Sequence, residues 1–186
     1  LETHQVIDQG LRPLFIIHIQ GATNMASNTL QNYEQLSYGA PGLSMHRSKA
    51  VQVIGDAVAT RTLTAKESGA ICLFDSAAGV VYTLPTPVAG MQFTFVTTVT
   101  RTSNAHKFIT GLATEFLLGG VAMLNSAATT GEFFAGNGTS HTNVSMNGTT
   151  TGGIIGDRIT ITALSSTVWF VDGVLNQTGT AATPFA

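Results

Sequence analysis

The chain has 186 residues and a formal net charge of −2, with ten aspartates and glutamates against eight lysines and arginines. Only 10% of its residues are charged, under half the usual share for a globular protein, while 44% are hydrophobic. Blocks of apolar residues exclude a disordered low-complexity chain, and the thin basic patch of His46, Arg47 and Lys49 excludes a phosphate-binding groove for nucleic acid.

In place of charge the sequence carries 28 threonines and 20 glycines. The branched β-carbon of threonine suits a pleated surface and glycine supplies tight turns, so an all-β fold is expected. Residues 1–60 are irregular. LFIIHIQ (14–20) is expected to form one strand; it is too short, and too broken by His18, for a signal segment or a membrane span. Leu30, Tyr33, Leu36 and Tyr38 recur at spacings near three, which predicts a short helical turn ended by Gly39, Pro41 and Gly42. We read residues 1–60 as an arm that docks on a neighbouring subunit through Leu14, Phe15, Ile16 and Ile17, with Tyr33, Leu36 and Tyr38 beside them. An ordinary edge of the main domain is the alternative.

Residues 61–186 have a more regular rhythm. ICLFD (71–75) and VVYTLP (80–85) predict two strands, the second stopped by Pro85, Pro87 and Gly90. MQFTFVTTVT (91–100) alternates, placing Met91, Phe93, Phe95, Thr97 and Val99 on one face. TSNA (102–105) is expected to turn the chain so that HKFIT (106–110) pairs back. Weaker segments follow at 114–124, 131–135 and 141–146. Last come RITITAL (158–164) and TVWFVDG (167–173), a predicted hairpin with Ile159, Ile161 and Ala163 inward on one strand and Trp169 and Val171 inward on the other. Asp172 does not belong on a buried face and is expected outside the core, or just past the strand in a turn with Gly173. Phe93, Phe95, Ile159, Ile161 and Trp169 are the expected core. The pattern describes a β-sandwich or jelly roll of about eight antiparallel strands, with a small closed barrel as the alternative.

Chemistry is sparse. His4, His18, His46, His106 and His141 are far apart, and none has a second ligand at metal spacing. Asp75, Asp157 and Asp172 sit beside small residues and read as turn carboxylates that accept backbone hydrogen bonds. Cys72 lies in an apolar run and reads as a buried structural thiol. The glycine pairs at 119–120 and 152–153 lack phosphate-loop spacing, and the N-x-Ser/Thr triplets at Asn137, Asn143, Asn147 and Asn176 are expected by chance. One tryptophan and three tyrosines are a poor stock for sugar stacking, with Tyr33, Tyr38 and Tyr82 left as surface contacts. Adjacent Phe133 and Phe134 must face opposite ways in a strand, one to the core and one to a partner. No cofactor, metal or enzymatic activity is expected. Hydroxyl and amide groups bond laterally without the desolvation cost of buried ions, so such a surface suits broad subunit contacts.

The run TLTAKESGAICLFDSAAGVVYTLPTPVAGMQFTFVTT (62–98), followed by GDRITITALSSTVWFVDG (156–173), resembles small structural proteins of tailed bacteriophages, marine and cyanobacterial ones above all. The resemblance is carried by Thr62 to Thr64, Ser68, Gly69, Gly79, Thr83 to Pro85, Gly90, Phe93, Phe95, Gly156, Asp157, Trp169 and Gly173. It implies a virion component on the capsid surface: a decoration protein bound to the major capsid protein and to copies of itself, often as a homotrimer. A receptor- or glycan-binding fibre or tail module is the other function such modules serve.

Overall fold

The structure is a computed structural model that describes residues 51–56, 58–125 and 130–186. The docking residues expected at Leu14 to Ile17, Tyr33, Leu36 and Tyr38 lie outside the described residues.

Eleven strands form among the described residues: β1 (Val53–Ile54), β2 (Thr60–Thr62), β3 (Ile71–Phe74), β4 (Val81–Thr83), β5 (Gln92–Thr97), β6 (His106–Ile109), β7 (Phe116–Asn125), β8 (Gly131–Asn137), β9 (Asn143–Met146), β10 (Arg158–Ala163) and β11 (Val168–Gln177). They make an all-β, two-sheet architecture. The larger sheet has seven strands in the order β1-β3-β5-β10-β11-β7-β8, and the smaller has four, β2-β4-β6-β9. Val53 and Ile54, which form β1, and Thr60, the first residue of β2, fall within the range read above as the extension.

The expectation of about eight antiparallel strands is corrected on both counts, since five of the nine pairings are parallel. The reason lies in the connections. From β1 to β6 each strand is followed by one in the opposite sheet, so β1, β3 and β5 return side by side in the larger sheet and β2, β4 and β6 in the smaller. Strands laid down by successive turns of such a coil run the same way. A hairpin would need consecutive strands in one sheet, which happens only at β7–β8 and β10–β11. HKFIT therefore does not pair back on β5: His106–Ile109 crosses to the smaller sheet and lies between β4 and β9.

Alternation sets what each strand buries. Phe93, Phe95 and Thr97 point inward from β5, Ile159, Ile161 and Ala163 from β10, and Trp169, Val171 and Leu175 from β11, all buried. The two sheets meet through aromatic rings. Phe95 of the larger sheet stacks on Phe108 of the smaller at 4.7 Å between centroids, and Phe74 lies 5.6 Å from Tyr82 and 4.8 Å from His106. Tyr82, expected at the surface, is fully buried, with its hydroxyl donating to the Leu73 carbonyl at 2.8 Å. Alternation along VVYT had two faces to offer, and the ring fills the gap between the sheets.

Strand β11 runs through Asp172 and Gly173 to Gln177, so the turn expected there is absent and Asp172 points outward from the middle of a strand. Its neighbour in the parallel pairing is Gly120 of β7. No helix among the described residues is long and apolar enough to cross a membrane.

Candidate interaction surface

The ionisable groups inside the domain hold loops together. Asp157, just before β10, is buried, and its Oδ2 accepts the backbone N–H groups of Gly153 (2.7 Å) and Ile154 (3.0 Å). Its Oδ1 accepts the backbone N–H of Asn176 (2.6 Å) and that residue's side-chain amide (2.9 Å). Burial pushes the carboxyl above the ordinary carboxylate range, against the pull of these four bonds. This matches the expected role of accepting backbone donors, but it adds a tie to β11 nineteen residues away. Glu67 caps the turn that Thr64 opens and pairs with Arg61 at 2.8 Å, an arginine that also meets Asp56. Cys72 is buried and burial pushes its thiol up to about 12, so it stays protonated and unreactive.

His106 is a further fixed point. Its Nδ1 accepts the Val80 N–H at 3.2 Å and its Nε2 lies 3.1 Å from the Val99 carbonyl, which assigns the neutral ring with the proton on Nε2. Burial holds its pKa below the ordinary value. A depressed imidazole pKa means that stability is complete above the unfolded-state value, about 6.5, and is lost as pH falls through the folded-state value. We expect the urea midpoint to fall as pH drops below about 6.5, and His106→Gln to remove part of that slope, checked by urea titrations across the range.

Asn137 and Asn147 open two loops of the same make. Asn137 Oδ1 accepts the N–H groups of Thr139, Ser140 and His141, and Asn147 Oδ1 those of Thr149, Thr150 and Thr151. The NGTS and NGTT runs that looked like acceptor triplets are thus side-chain turns.

Among the described residues, the outer face of the larger sheet presents a broad, largely uncharged surface to a partner. Thr94 and Thr160 touch there at 3.3 Å, and the Gln92 amide donates to Thr162, an uncharged ladder across β5 and β10. Beside it, β11, β7 and β8 expose Phe170 (41%), Val174, Leu118, Leu124 and Phe133 (68%). A shallow groove of about 460 Å³ lies between Leu118, Phe133, Ala135, Phe170 and Asp172, floored by Gly120. The ring of Phe133 leans over that floor: a β-carbon on Gly120 would stand 2.4 Å from its Cζ. Phe134, the adjacent residue, turns inward and packs against the core. The division of the two phenylalanines was visible in the alternation; the groove was not. Its only trace was the glycine pair inside FLLGGVAML, set aside above for lacking phosphate-loop spacing.

Among the described residues no group of three or more histidine, cysteine, aspartate or glutamate side chains is placed to hold a metal ion. The expected core residues Phe93, Phe95, Ile159, Ile161 and Trp169 are all buried between the sheets, and none reaches the groove. Comparison of the chain with known protein families, with curated proteins and with solved structures gives no match.

Proposed function

We propose that the chain is a non-enzymatic structural subunit of a tailed-phage particle, a decoration protein that binds the major capsid protein and copies of itself on the capsid surface. The observation that supports it best is the outer face of the seven-stranded sheet, where exposed apolar side chains adjoin a hydroxyl and amide ladder. Such a face offers wide, neutral contact with little desolvation of charge. The sequence resemblance to phage structural proteins supports the same reading. The work would be mechanical: each copy spans neighbouring capsid subunits and raises the free energy needed to separate them. A contact of roughly 1,500 Å² repeated over a lattice suffices even where single contacts are weak.

The test is location. Antibody raised against this chain should label the head shell of purified particles, and a chain lacking residues 1–45 should no longer bind capsids. Label confined to fibres or tail, with saturable binding of the full chain on a glycan array, would replace this reading with that of a receptor-binding module.

A further inference from the structure

We propose that β8 is a strand-pairing edge and that its occupant is β8 of a second copy of this chain, the two strands running antiparallel about a two-fold axis at Phe133. The inference rests on backbone geometry and holds wherever the protein works.

At one end of the β7–β8 ladder the N–H of Asn125 donates to the Thr130 carbonyl; at the other the N–H of Gly138 donates to that of Leu117. Both bonds share the register of the ladder between them, in which Val121 faces Phe134 and Gly119 faces Gly136. Antiparallel ladders alternate hydrogen-bonded and non-bonded pairs, so the peptide groups of Glu132, Phe134 and Gly136 turn towards β7. Those of Gly131, Phe133 and Ala135 turn towards the open edge. Asn137, next in that series, has its N–H taken by Nδ1 of His141. The other three residues make no hydrogen bond through that edge to any described residue. Their N–H and C=O groups form a row of three donors and three acceptors.

Edges of this kind are normally blunted by lysine, proline, a bulge or a covering segment. On β8 the only charge is Glu132, an exposed side chain on the same face as Phe134. A charge on the inward side is itself one such device, but this one stands alone and does not cover the backbone row. Gly131 and Ala135 are small, and the Phe133 ring leans away from the edge over Gly120, leaving the backbone accessible. The row is also self-complementary. With Phe133 opposite Phe133 of the second copy, Gly131 meets Ala135 and Ala135 meets Gly131, and six hydrogen bonds close with no group left over. In this register Glu132 faces Phe134 of the second copy, so no like charges stand opposed. The two grooves then lie on the same outer face, one on each side of the seam. Such an edge buries less than the roughly 1,200 Å² of the smaller stable complexes, so association should be half complete at tens of micromolar, roughly.

Sedimentation of the full chain from about 1 to about 200 µM should show a monomer converting to a dimer. Ala135→Pro removes an edge N–H without touching the β7 ladder and should abolish the dimer. Should that variant misfold, Phe133→Lys serves instead, because it sets like charges face to face at an exposed position and should weaken pairing at least about tenfold. The decisive measurement mixes Phe133→Lys with Phe133→Glu: only a register that places residue 133 against itself restores association in the mixture. A chain that stays monomeric, a trimer insensitive to these changes, or failure of the mixture to recover would overturn the proposal.

Discussion

Replacing Asp157 by alanine is expected to lower the unfolding free energy by roughly 3–4 kcal/mol, a large share of the about 5–15 kcal/mol that folded domains commonly have. The side chain is buried, and its two oxygens satisfy three backbone N–H groups and one side-chain amide. Without it those donors are left unpaired, that of Gly153 buried and those of Ile154 and Asn176 half-buried. Asparagine is no rescue, because its amide would present hydrogens to donors on one side or the other. The expected sign is therefore the same for Asp157→Asn, at somewhat smaller size. A urea titration checks this: the midpoint should shift at unchanged slope for both variants.

Gly119→Ala is expected to cost a similar amount, roughly 3–4 kcal/mol, by a different route. Gly119 lies in the middle of β7 with φ at +103°, a conformation that L side chains rarely adopt. An added β-carbon would also stand 2.3 Å from the Val171 carbonyl oxygen of β11, a backbone atom that cannot yield without opening the parallel ladder. Gly69 is the matched control. It has a φ of +92° and nothing within 4 Å of where the β-carbon would lie, so Gly69→Ala should carry only the conformational cost, about 1–2 kcal/mol. If the two variants melted alike, the clash with β11 would not be the cause. Paired thermal melts decide it.

These two residues also mark how far the sequence could be read. Alternation in RITITAL and TVWFV told which side chains face inward, and their adjacency told that they form a hairpin, because both facts are local. Which strands lie beside which is not local. HKFI has the same alternation whether it pairs with β5 or crosses to the smaller sheet, and nothing in its six neighbouring residues distinguishes the two. The coil of β1 to β6, and with it the parallel pairing, depends on connections that cross the core rather than turn in place. Asp157 could be read as a carboxylate serving nearby backbone donors, but its bond to Asn176 needs β10 and β11 already in register. The groove is harder still, since a glycine pair has no side chain to announce what leans over it. Tyr82 shows the converse: a residue with a polar tip can be fully buried when a carbonyl waits for it, here that of Leu73.

The position of the last two strands has a consequence for synthesis. β10 and β11 stand at the centre of the larger sheet, between β5 on one side and β7 on the other. A nascent chain that has emerged only as far as Met146 holds two fragments of that sheet with no strand to join them. Phe93 waits for Ile161 and Leu117 for Trp169, so the apolar faces made early stay wet until the C-terminal hairpin leaves the ribosome. Folding should complete in one late step, and early termination codons should yield aggregates rather than shorter working domains.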